Sequence, residues 1–409
     1  MNRLVLIGNG FDLAHGLKTS YKDFIYWYWK QRVLSLYDFR GKTSDDGLCK
    51  FTILAYETWY DLFYNRQYSI SLSEDNDFFD VTKNKEGFRI EYSPLFERIH
   101  KSIETKGWVD IENDYYDLLK EYALSDDSAE KVADLNRQLQ YIKELLIKYL
   151  GYIEKQKVDI DEGIKNKIYA PIKLDDISVS GKDILKEWVD TWMKQDESFV
   201  REKMRRYGWN VEDYIESIRY FRDKYHEGKI PFTDIPRSYL LPDAVMLLNF
   251  NYTQTAQLYY DSNLGFINYI HGKIDKPQSV IFGYGDELDD DFKKLQKLND
   301  NECLTNVKSI NYLESDNYKR LLSFAELAPF QICIMGHSCG NSDKTLLNTL
   351  FEHRNCISIK PYYYQVSEKE DRYLELVQNI SRNFTDMKLM RDRVVNKEYC
   401  EPLTNRKNN

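Results

Sequence analysis

Apolar residues gather into short unbroken runs near the two ends of the chain and into spaced stripes through its middle. The runs span residues 4–7, 244–250, 266–270, 279–283, 330–335 and 356–360, and are rich in Val, Ile and Leu. Continuous apolar runs of this length predict strands buried on both faces, as in a parallel sheet. More than two hundred residues separate the first run from the second, and there the pattern is helical. Ser20 followed by Asp23 opens a helix over 21–37 with a capping-box-like start. A second helix is expected over 110–123. A third, over 128–156, places Val132, Leu135, Leu139, Ile142, Leu146, Tyr149 and Ile153 three or four residues apart, as one stripe that packs on other helices. Residues 198–226 read as a helix pair broken near Gly208. The polar tail 405–409 is expected to fray.

These elements predict an α/β fold. A Rossmann-like, mostly parallel sheet flanked by helices is built from residues 1–60 and 236–409. A large, mainly helical insertion, 61–235, follows the first strand–helix unit. The 409 residues suffice for such a core with an insertion. With 42% apolar and 30% charged residues the composition is that of an ordinary globular protein. A formal net charge of −9 argues against general nucleic-acid binding. The six cysteines are scattered without a CxxC pair, which predicts reduced thiols and no zinc module. The first apolar run is too short for a signal-peptide core, and no run approaches the roughly 20 residues that span a bilayer. The expected location is the cytoplasm, without membrane attachment.

Four polar motifs stand at expected strand ends, where ligands of open α/β sheets bind. Gly8-Asn9-Gly10 ends the first strand, followed by Phe11 and Asp12. It is either a tight structural turn or a cradle for phosphates at the start of a helix. It is not the dehydrogenase fingerprint, since Leu13 stands where a third glycine belongs. Asp12 would repel a phosphate, so it faces a ribose hydroxyl or caps a helix. The second motif is Asn249-Phe250-Asn251-Tyr252-Thr253, whose Asn251 is either a ligand carboxamide or a helix cap. The third is His271-Gly272, with a side chain suited to acid–base work near neutral pH. The fourth is Gly336-His337-Ser338 with Gly340, Ser342 and Asp343, a second glycine-rich turn before a helix, with Ser342 or Asp343 as its N-cap. Four such motifs on one sheet point to a nucleotide crevice. The acidic run 285–294 reads as a solvated loop, and no spacing reads as a metal site.

Five stretches, GNGFDLAHGLKTSYKDF, WVDIENDYYDLL, LNFNYTQT, YIHGKI and IMGHSCGNSDK, resemble the AbiH family of bacterial phage abortive-infection proteins. The order of motifs also resembles the wider SIR2-like group of NAD-binding domains. That resemblance implies NAD as substrate or ligand, and no metal. It implies a catalytic Asn251 and His271. Gly8, Asn9, Gly10, Phe11 and Asp12 would lie on the first nucleotide-binding turn, and Gly336, His337, Ser338 and Asp343 on the later one. The sequence departs from the SIR2-like pattern at Thr253, where that group carries Asp, and at Asn9 within the opening turn. The implied function is an NAD glycohydrolase that depletes NAD on infection. The rival readings are a nucleotide sensor without turnover, and a metal-dependent nuclease or nucleotide hydrolase using Asp286, Glu287 or Asp343. The expected partners are a small nucleotide and, through the helical insertion, a second copy or another defence protein. Trp108 and Glu112 belong to the AbiH resemblance. The reading of Trp108 is a buried residue beside a helix; that of Glu112 includes a carboxylate brought over the crevice from the insertion.

Overall fold

A computed structural model describes residues 1–37, 39–54, 56–64 and 87–404; the expected frayed tail, 405–409, lies outside them. Eight strands are named here: β1 (Asn2–Ile7), β2 (Thr43–Asp45), β3 (Cys49–Ile53), β4 (Phe88–Tyr92), β5 (Val245–Asn249), β6 (Gly265–Tyr269), β7 (Phe330–Met335) and β8 (Cys356–Tyr362). Five of them form one all-parallel sheet in the order β6-β5-β1-β7-β8. The fold is α/β and Rossmann-like, with helices covering the sheet, as the apolar runs predict.

The first strand is central, pairing with β5 on one side and β7 on the other, and it is buried on both faces. Leu4 and Leu6 join Met246, Leu248, Ile332 and Ile334 on one side. Val5 and Ile7 join Val245, Leu247, Cys333 and Met335 on the other. This alternation is the period of two that a pleated strand imposes. Polar residues also enter the sheet, where the apolar pattern gave no warning. Arg3 donates to Gln331 Oε1 at 3.0 Å and to the Ile168 and Ala170 carbonyls at the end of the helix Glu162–Tyr169. Lys360 Nζ lies 2.9 Å from the Asp176 carboxylate, both almost fully buried, and Gln331 Nε2 donates to Ser358 Oγ at 3.1 Å.

The chain separates into two compact units. One comprises Met1–Leu17, Lys157–Ile281 and the chain from Ser309 onward; the other comprises Lys18–Gln156 and Phe282–Lys308. These limits differ from the expected boundaries at 60 and 235. Helices between 157 and 235 pack with the sheet unit, through Leu185, Val189, Trp192, Met204 and Phe221 against Met1 and Ile357. The run 279–283 is not a strand. It leaves a 3-10 turn at Pro277–Ser279, and Ile281 N–H reaches the His271 carbonyl as the chain passes from one unit to the other. Its apolar character reflects burial, not sheet pairing.

The second unit holds the expected helices Tyr21–Tyr37, Ile111–Ala123 and Ser128–Ile153. Ser20 and Asp23 form the reciprocal cap, and all seven stripe residues of the third helix are buried. It also holds an antiparallel sheet, β2-β3-β4, that the sequence reading missed. Trp108 is exposed, at 59%, with the Lys106 ammonium 5.7 Å from its ring, so it is not a buried anchor. Glu112 binds Lys308 Nζ at 3.0 Å and the Gly283 N–H at 3.1 Å inside this unit. The acidic run is only partly a loop: Asp289 caps the helix Asp290–Lys297, and Asp286 is buried. Among the described residues no helix is long and apolar enough to cross a membrane.

Candidate functional site

The carboxyl ends of β5, β1 and β7 converge on two glycine turns that pack backbone against backbone. Gly8 N–H donates to the Met335 carbonyl at 3.3 Å, Gly10 N–H to the Gly336 carbonyl at 2.8 Å, and Phe11 N–H to the Gly8 carbonyl at 2.8 Å. A Cβ on Gly8 would meet His337 Cα at 2.5 Å. One on Gly336, whose φ is +77°, would meet Phe11 N at 2.0 Å. These glycines are therefore required by the close approach of the two turns, which is the structural answer to the opening motif. The side chains of Asn9 and Ser338 are exposed, whereas Phe11 is fully buried against His15 and Tyr259.

Asp12 and Thr253 form a pair. Asp12 is buried, and its Oδ2 accepts the Thr253 hydroxyl at 2.6 Å. An Asp at 253 would set two carboxylates together, so Thr253 suits the presence of Asp12. The β5 end is a local turn in which Asn249 Oδ1 accepts the Asn251 N–H at 3.1 Å and Asn249 Nδ2 donates to the Thr253 carbonyl. Asn251 does not cap a helix. Its Nδ2 donates to the Gly8 carbonyl at 3.0 Å, tying its side chain to that loop.

His271 is drawn elsewhere. Its Nε2 lies 3.1 Å from Asp343 Oδ1 and 3.1 Å from the Tyr312 hydroxyl. Asp343 Oδ2 lies 3.5 Å from His337 Nε2. One buried carboxylate thus joins two buried imidazoles, and the Phe250 ring packs on both, with centroids 5.3 and 4.1 Å away. Asp343, one of the two expected caps, does stand at the N-cap of the next helix, but its side chain does not do the capping. It makes no cap bond to Lys344–Phe351 and turns to the histidines instead. Burial and the nearby Asp343 charge push the Cys339 thiol far above the ordinary thiol range, so it is no ready nucleophile. Among the described residues no group of three or more His, Cys, Asp or Glu is arranged to hold a metal ion.

The sequence reading named His271, His337 and Asp343 separately, and the structure joins them. It missed Tyr312 and Phe250. Phe250 stood inside a quoted motif and was overshadowed by its polar neighbours. Tyr312 lies 41 residues from His271, in a segment without any motif.

A parallel sheet with polar strand ends and a buried His–Asp–His centre defines an α/β protein with a site at the carboxyl edge of its strands. The family model described as bacteriophage abortive infection AbiH matches residues 4–364, and the chain belongs to that family. Its role is accordingly defence against bacteriophage by abortive infection. No curated protein and no solved structure matches the chain.

Proposed function

We propose that the sheet unit is a SIR2-like NAD glycohydrolase that depletes NAD on infection. The observation that carries this reading is the His271–Asp343 pair at 3.1 Å, standing two residues beyond β6 on the strand edge where α/β sheets bind ligands. With its Nε2 proton given to Asp343, a neutral His271 keeps its basic lone pair on Nδ1. Water attacks the anomeric carbon of the nicotinamide ribose. The carbon–nitrogen bond breaks, its electron pair goes to the ring, and nicotinamide leaves neutral. His271 takes the proton of the attacking water, and Asp343 balances the imidazolium that forms. Asn251, with Nδ2 committed to Gly8, offers Oδ1 to orient the water or a ribose hydroxyl. Asn9 and Ser338, exposed on the two turns, are assigned to the diphosphate.

The alternative, a nucleotide sensor without turnover, is favoured by one observation. Thr253, whose hydroxyl is committed to Asp12, stands where the SIR2-like pattern carries Asp, so that carboxylate is missing from the chemistry while the crevice remains. Purified protein assayed for NAD loss and ADP-ribose release separates the two. On the hydrolase reading wild type consumes NAD, EDTA has no effect, and His271→Ala and Asn251→Ala each fail while remaining folded. NAD binding without product, in a protein that still protects infected cells, selects the sensor and overturns the hydrolase.

A further inference from the structure

One of the two imidazoles on Asp343 is held from the backbone, and the hold is at Cys339. Among the described residues two non-glycine residues have positive φ, Asn299 at 56° and Cys339 at 54°. Asn finds local compensation in that conformation; Cys does not. A turn serving only to reverse the chain would be relieved by glycine at 339. What the turn achieves is to point the Cys339 N–H at His337 Nδ1, 2.9 Å away. The fully buried Asn383 holds the same residue from the other side, its Nδ2 donating to the Cys339 carbonyl at 2.9 Å.

We infer that His337, held in one tautomer by the left-handed turn at Cys339, is a positioning residue that fixes the Asp343 carboxylate against His271. A backbone N–H can only donate, so His337 Nδ1 carries a lone pair and the neutral ring has its proton on Nε2. That proton faces Asp343 Oδ2. Both oxygens of the ionised carboxylate then accept, Oδ2 from His337 and Oδ1 from His271 Nε2. Cys339 N–H donates to His337, His337 donates to Asp343, and the carboxylate, which accepts on both oxygens, also receives His271. The His271 lone pair is thereby confined to Nδ1. The consequence for turnover rests on the NAD hydrolysis reading, whereas the proton positions do not.

The experiment is two-bond ¹H–¹⁵N spectroscopy of histidine-labelled full-length protein near pH 7.5. In wild type both His337 and His271 are expected as the Nε2–H tautomer; His337 protonated on Nδ1 overturns the inference. The second arm is Asp343→Asn. An amide accepts on one side only. The His337 proton claims its oxygen, and its NH₂ turns to His271. His271 Nε2 must then accept, there and from the Tyr312 hydroxyl, and the His271 proton moves to Nδ1. An Asp343→Asn protein whose His271 keeps its proton on Nε2 overturns the inference. The third arm adds His337→Gln to Asp343→Asn. The Gln amide also accepts, so the direction is released and His271 is expected to regain the Nε2–H tautomer. If His337 only fills space, the single and double variants give the same spectra. Should hydrolysis be the reaction, Asp343→Asn also lowers kcat by about 10³–10⁴-fold, as a wrongly held tautomer does. Spectra as expected with no NAD consumption in any sample would uphold the lock and reject the hydrolase.

Discussion

Two buried carboxylates lie in the same sheet unit, and their neighbours make them different devices. Asp176 is 2.9 Å from Lys360 and 3.5 Å from Gln331, in a network continued by Arg3 and Ser358. Asp343 meets two imidazoles at 3.1 and 3.5 Å. An ammonium brings only donors, so the Asp176 centre is a fixed pair that fills a polar gap in the sheet. An imidazole presents a donor on one ring nitrogen and a lone pair on the other, so the Asp343 centre is built from groups able to pass a proton. Burial is equal enough that it does not separate the two; the partner does. A buried acid says little about chemistry until the group facing it is known.

The contrast can be broken in graded steps. The largest effect falls on the frame of the histidine centre. Gly336→Ala puts a Cβ 2.0 Å from Phe11 N at positive φ, and should cost more than about 4 kcal/mol by chemical denaturation, or prevent folding. Next, Lys360→Met leaves Asp176 buried without its cation. Stability should fall by about 3–5 kcal/mol while NAD turnover per folded molecule is unchanged, and adding Asp176→Leu should restore most of the loss. His271→Ala should do the reverse. On the hydrolase reading NAD consumption falls by about 10²–10⁴-fold, and the stability change measured on the same sample stays below about 2 kcal/mol. A smaller step is Thr253→Val, which removes a buried donor from Asp12 and should cost about 1–3 kcal/mol in thermal unfolding. Last, Ser338→Ala, at an exposed side chain, should leave stability within about 0.5 kcal/mol. Any effect it has on NAD affinity then measures ligand contact alone.

How far the sequence reached follows from what periodicity can report. The sheet was legible because β1, β5, β7 and β8 are buried on both faces and their residues declare it. The helix stripe at Val132–Ile153 was legible for the same reason. Periodicity names the buried face and stays silent about what covers it. Hence 279–283, buried but unpaired, was mistaken for a strand. Hence also Arg3, Gln331 and Lys360, polar residues inside strands that read as apolar, went unread as a network. Strands β2, β3 and β4 alternate more buried with more exposed positions, so no unbroken apolar run marked them. At the site, the strand-end motifs located His271, His337 and Asp343, because glycine and histidine after an apolar run mark a strand end. Their union was invisible, since Asp343 lies 72 positions beyond His271 and the contact is made by tertiary packing. Local rules favoured a helix cap for Asp343, and a stronger pair of donors won.

The central place of β1 has a consequence for how the protein comes into being. Its neighbours, β5 and β7, begin at residues 245 and 330, so the strand made first waits longest for its partners. At about 5–20 residues per second of synthesis, the chain is extended for on the order of ten to fifty seconds before β5 exists to receive β1. Asp343 emerges later still. A ribosome that halts before residue 343, through starvation or damage to the message, therefore releases only fragments in which the histidine centre is incomplete.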